Sequence, residues 1–265
     1  MAQAQPRPAS PPPVGALLRE WRQRRRRSQL DLSLDAAVSQ RHLSCVESGR
    51  AAPSREMVLR LAAELDVPLR ERNALLLAAG FAPAFRERGL DDPEMVAART
   101  AVETLLHAHM PHPALAVDGG WNLVSANAAV AKLLGGLVDP TRLAPPVNVL
   151  RLSLHPEGLA LRIRNLPEWR THLLERLRRE VATSADAGLT ALLAELSALP
   201  APGGEAAAPH GILVPLVLDT PWGTLSLIST TTVFGTPAEV TLSELAIETF
   251  FPANAETAER LCALG

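Results

Sequence analysis

In "SQRHLSCVESGR", residues 39–50, a hydroxyl, an amide, a guanidinium and a thiol are spaced along one short segment. On a helix, Leu43 and Val46 turn inward together, and Gln40, Arg41 and Ser44 face outward with Cys45 near their edge. Such side chains match base edges, because arginine pairs with guanine O6/N7 and glutamine with adenine N6/N7. Gln40, Arg41, Ser44 and Cys45 are therefore the candidate base contacts. Ser28, Gln29 and Ser39 at helix starts, together with Arg50 and Arg55, are the candidates for phosphate, which hydroxyls, main-chain N–H groups and cations all hold.

The elements that must position them are short helices separated by tight breaks. "VGALLREWRQRRRR" sets Leu17, Leu18 and Trp21 on one stripe and masses arginines at its C-terminal end, where the macrodipole favours cations. Ser28 caps a second helix in which Leu30 and Leu34 share a face. Ser39 caps the third, residues 40–47, which Gly49 ends. Ser54 caps a fourth, with Val58, Leu61, Ala62 and Leu65 inward, and Pro68 opens a fifth that stops at Gly80. Two helices of about eight residues across a three-to-four-residue turn make a helix-turn-helix, whose second helix enters the major groove of DNA.

Charge is compatible with the same partner. The chain has a net charge of −2, but residues 1–90 hold 15 Arg against 9 Asp plus Glu, a net of +6, and the remainder is acidic. Only the basic head is suited to a polyanion, which narrows the partner to nucleic acid or anionic lipid. No stretch approaches the ~20 apolar residues of a membrane span, so no membrane insertion is expected. The start, "MAQAQPRPASPPP", reads as a Pro-rich arm over 1–13 rather than a secretory signal. Two distant cysteines make neither a disulfide framework nor a metal cluster, and a cytoplasmic, reducing setting fits. No GxSxG, HExxH, P-loop or GxGxxG motif is present, so neither an enzyme nor a bound cofactor is expected.

Past a breaker-rich hinge and linker helix at 81–110, the pattern changes. "ALAVDGGWNLVSAN" reads as strand, turn, strand, and "AAVAKLLGG" as a short helix. A helical hairpin follows, its second helix carrying Trp169, Leu173, Leu177 and Val181, and then the helix "AGLTALLAELSAL". After a Pro/Gly/Ala linker at 200–210, "ILVPLVLDT" and "GTLSLISTTTVF" pair across Pro221-Trp222-Gly223, and "TLSELAIETFFP" reads as a closing helix. The expected fold is an all-α five-helix domain over 14–80 followed by an α+β domain over 111–265.

Residues 15–80, through "SQLDLSLDAAVSQRHLSCVESGRAAPS", resemble the phage-repressor-like (XRE) helix-turn-helix family. The resemblance implies that Gln29, Gln40, Arg41 and Cys45 contact DNA. It also implies a partly buried ion pair between Arg22 and Glu47. One departure is Ala37, at a turn position usually held by Gly. "VNVLRLSLHPEGLALRIRNLPEWRTHLLERLRRE" and "LSLISTTTVFGTPAEVTLSELAIETFFPANAETAERL" resemble the ligand-binding domain of MmyB-like transcription regulators, a PAS-like fold. Together the two resemblances imply a bacterial regulator that binds double-stranded DNA and is controlled by an apolar, fatty-acid-like small molecule. A homodimer is expected. The alternative is a body serving only for dimerisation or protein docking.

A sheet packed by helices leaves a cavity between them, apolar with a few polar groups. Its expected wall is Trp121, Leu123, Leu150, Leu152, Trp169, Leu173, Leu216, Leu218, Leu225 and Leu227. Asn127, His155, Arg164, Arg170, Ser229 and Thr231 are the expected polar groups.

Overall fold

The computed structural model describes residues 12–200 and 213–264. The arm read over 1–13 and the linker at 200–210 lie almost wholly outside the described residues. The chain divides into two compact units, Met1–Arg86 and Glu87–Gly265.

The first unit is five helices: α1 Val14–Arg24, α2 Gln29–Asp35, α3 Gln40–Glu47, α4 Arg55–Glu64 and α5 Leu69–Ala78. Local chemistry sets their starts. Ser28 and Asp31 form a reciprocal capping box at α2, while Ser39 and Ser54 accept the amides of His42 and Met57 at 3.2 Å. The turn between α2 and α3 puts Ala37 at φ 51°, the left-handed conformation that glycine adopts without strain. Gly15 lets α1 cross α3 closely, because a β-carbon there would lie 2.1 Å from the Val46 carbonyl oxygen. Leu18, Leu32, Leu43, Leu61, Leu65, Leu75 and Leu76 fill the core.

The stripe expected on α2 is on the wrong side. Leu30 and Leu34 are 50% and 69% exposed, whereas Leu32 and Ala36 are fully buried. Residues 32 and 36 satisfy the same i, i+4 spacing, so the period alone cannot choose between the two pairs.

The second unit is a five-stranded antiparallel sheet with helices on both faces. In chain order it comprises α6 Val96–Ala108, β1 Ala114–Val117, β2 Leu123–Ala126, α7 Ala128–Gly135, α8 Val149–Leu154, α9 Leu166–Ser184, α10 Ala187–Ala198, β3 Leu216–Thr220, β4 Gly223–Val233, α11 Val240–Glu244, β5 Ala246–Pro252 and α12 Ala255–Leu264. The strand order is β2-β1-β5-β4-β3. On one face, Val117, Leu216, Leu218, Leu225 and Leu227 join Leu150, Trp169, Leu173, Leu177, Leu192 and Leu261 from the helices in one core. On the other, Ala114, Ala116, Leu245 and Ile247 pack with Val102 and Leu106 of α6. Helix α6 is therefore part of this unit and not a free linker.

The segment read as a closing helix is instead the short α11 followed by β5, which pairs with both β1 and β4. In "AIETFFP" Ile247 turns to one face of the sheet and Glu248 and Phe250 to the other. That period of two, rich in β-branched and aromatic residues, outweighs the helical start.

Candidate functional site

Two places carry functional chemistry, one in each unit. In the first, α3 is anchored from behind by Leu43 and Val46, both buried. Glu47 then ties it to two other helices. Its carboxylate accepts from Arg22 Nε at 2.7 Å and Nη2 at 2.8 Å, and from Gln29 Nε2 at 2.7 Å. The side chains of Arg22 and Glu47 are only 11% and 3% exposed. Burial alone would raise the Glu47 carboxyl, but the Arg22 and Gln29 bonds and the Arg22 charge outweigh it and hold its pKa below the ordinary range.

With its back fixed, α3 turns Gln40 and Arg41 to solvent, with Ser44 and Cys45 half-buried beside them. Ser39, Arg50 and Arg55 are exposed around this face. Ser28 is less available than its type suggests. Its hydroxyl donates to Asp31 Oδ2 at 2.7 Å and accepts from the Asp31 amide at 3.1 Å, so it has no hydrogen left for a phosphate oxygen. Gln29 gives one amide hydrogen to Glu47 and keeps the other. The arginine run is also more structural than its charge implies. Arg25 donates to the carbonyls of Leu65 and Asp66, and Arg27 to that of Glu64, closing the C-terminal end of α4.

In the second unit a cavity of about 110 Å³ lies between the sheet and α7, α8 and α9. Trp121, Leu123, Leu150, Leu152, Trp169, Leu173, Leu216, Leu218, Leu227 and Ser229 line it. Six residues expected at the cavity are elsewhere, each for a visible reason. Asn127 caps α7 and donates to the carbonyls of Leu106 and His112, which fastens β1 and α6. His155 is half-buried, away from the cavity, and accepts from the Glu157 amide at 3.1 Å. Arg164 points outward and pairs with Asp219 at 2.8 Å. Arg170 donates to the carbonyls of Leu196, Ser197 and Leu199 at the end of α10. Leu225 is fully buried core. Thr231 does not line the cavity but donates to Glu248 Oε1 at 2.8 Å.

The polar wall is instead an ion pair absent from the sequence reading. Arg176 Nη1 and Nη2 donate to Glu248 at 3.1 and 2.7 Å, and its Nε reaches Glu180 at 3.2 Å. The guanidinium lies 4.4 Å from the centre of the Trp121 ring, whose Nε1 donates to Glu180 at 2.7 Å. Burial disfavours the Arg176 charge, but the bonds and charges of Glu248 and Glu180 outweigh it and raise its pKa. A signal existed in the sequence. Arg176 shares a helix stripe with Trp169 and Leu173, and Glu248 shares a strand face with Phe250. Opposite charges set in two apolar faces need each other.

A basic helical unit that presents a recognition helix, joined in one chain to a domain built around an apolar cavity, defines a DNA-binding regulator with a ligand-binding body. Comparison with known families agrees in both halves and in their order. Residues 98–264 match the MmyB-like transcription regulator ligand binding domain, and residues 18–72 match the helix-turn-helix family. The chain belongs to the MmyB-like transcription regulators. No curated protein matches it. Among the described residues, no helix is long and apolar enough to cross a membrane.

Proposed function

We propose that this regulator reads a specific operator as a homodimer and is switched by an apolar molecule with a fatty-acyl-like chain held in its C-terminal domain. Gln40, Arg41, Ser44 and Cys45 face base edges; Ser39, Arg50, Arg55 and the free amide hydrogen of Gln29 face phosphates. Two such heads would meet half-sites about 34 Å apart, one turn of the duplex. The observation that carries the ligand reading is the cavity wall: of its 22 residues, only Ser153, Ser229, Arg176 and Glu248 bring polar side chains. A polar metabolite would find few partners there, while an apolar one sheds water. At about 110 Å³ the space suits a short alkyl segment or a ring. A ligand favouring one arrangement of the domain over another shifts the equilibrium by its difference in affinity.

The test has two arms. Mass spectrometry of the gently extracted protein should return one apolar compound reproducibly, and footprinting near the gene should show a protected site whose affinity falls with salt and with that compound. Protein free of any co-purifying apolar molecule, which also binds none from an extract, would refute the switch. Binding equal on random and promoter DNA would refute operator reading.

A further inference from the structure

The wall of the cavity holds a clue to the polar end of its ligand. Arg176 is the cation that lines it, and its anion-binding edges are already occupied, by Glu248 across Nη1 and Nη2 and by Glu180 at Nε. Glu248 is 5% exposed, so removing its partner would strand a carboxylate in an apolar surround. The neighbouring His172 and Arg179 line an outer depression and not the cavity. An incoming carboxylate therefore meets no free fork, and it meets the Glu248 charge.

Ser229 is different. Its register partner on β5 is Phe250, two residues along from Glu248, so the hydroxyl lies on the same face of the sheet as the ion pair. It lines both the cavity and the outer depression, and the hydroxyl makes no side-chain hydrogen bond among the described residues. A hydroxyl both donates and accepts, which suits an uncharged group.

Building on the apolar-ligand reading above, we propose that the ligand carries an uncharged hydrogen-bonding group, a hydroxyl or amide, that meets Ser229 while its chain fills the cavity, and that ionised carboxylates are discriminated against. The Arg176–Glu248 pair acts as the discriminator. It presents a neutral, mutually satisfied surface to a neutral group and a repulsive one to an anion.

Titration calorimetry on the full chain with octan-1-ol and octanoate tests this, at about pH 8, where the acid is ionised. The alcohol should bind roughly tenfold tighter or more. Ser229→Ala should weaken the alcohol by about three- to tenfold and leave octanoate unchanged. Glu248→Gln frees a fork of Arg176 and should improve octanoate by about tenfold. Octanoate binding as tightly as the alcohol to the natural protein would overturn the proposal, as would a Ser229→Ala variant with undiminished alcohol affinity; both leave the apolar-ligand reading standing. Failure of both compounds to bind any of the three proteins would overturn that reading too.

Discussion

Glu47→Gln isolates the contact that sets the pose of the recognition helix. The substitution keeps shape and removes charge, and it replaces one carboxylate oxygen with an NH2. Three donors converge on that carboxylate, two from Arg22 and one from Gln29, at 2.7 to 2.8 Å. An amide can accept from one side only, so a donor is left facing a donor. Breaking a fully buried pair by removing one partner costs about 3–5 kcal/mol. Arg22 retains some exposure and a second acceptor, the Arg27 carbonyl at 2.9 Å, which lowers the expectation to about 2–3 kcal/mol. A helical unit of this size has roughly 4–10 kcal/mol in total, so the loss is large but leaves it folded. Native-state hydrogen exchange read by mass spectrometry on the full chain measures it unit by unit. Protection across residues 14–80 should fall roughly 30- to 150-fold at neutral pH, while peptides from residues 96–264 stay unchanged. The sign with pH follows from the depressed Glu47 pKa. Its stabilisation is fully present above the unfolded value of about 4.3 and fades as pH falls through the folded value, so variant and natural protein should converge in acid. Equal protection at neutral pH, or a gap that persists in acid, would refute the assignment of α3 positioning to this charge.

Three further outcomes follow from the same geometry. Arg41→Ala should cost about 1–3 kcal/mol at one operator position in a binding-site selection; a loss spread evenly over all sequences would make Arg41 a phosphate contact. Ala37→Gly relieves the left-handed strain at φ 51° and, after the added freedom of the unfolded chain, should raise protection over α2 and α3 by about two- to fivefold. Asn127→Ala strips the α7 cap and the bonds to Leu106, His112 and Ala114 from a side chain that is 7% exposed. It should destabilise the second unit by about 3 kcal/mol in urea unfolding followed by tryptophan fluorescence.

How much of this was readable in the chain depended on how local the cause was. Ser28, Ser39 and Ser54 cap helices through amides two or three residues away, so the boundaries of α2, α3 and α4 lie in the sequence itself. The outward face of α3 follows from Leu43 and Val46 within two turns. Helix α2 was harder, because Leu30/Leu34 and Leu32/Ala36 have the same spacing. Only the tertiary packing of the unit decides which pair is buried. The α11–β5 segment is hard to read for a related reason: "TLSEL" starts a helix, and the strand that follows gains its stability from β1, about 130 residues earlier, and from β4, which ends 13 residues before it.

The polar side chains of the body show the limit most sharply. Asn127, His155, Arg164 and Arg170 read as ligand contacts because a polar residue set among apolar ones needs a partner. Each had one already, in main-chain groups or in Asp219 on another element. Arg176 is hidden in the sequence because "LLERLRREV" offers so many charges that one among them reads as solvated surface. Its partner, Glu248, lies 72 residues later in a segment whose helical start masks its period of two. Once β5 is a strand, Glu248 and Phe250 share the cavity face, and a buried carboxylate among leucines demands a cation from the helix opposite. At that depth on α9 the stripe through Trp169 and Leu173 offers Arg176. The pair is therefore a consequence of one correct strand assignment, and it sets two opposite charges in the wall of an otherwise apolar cavity.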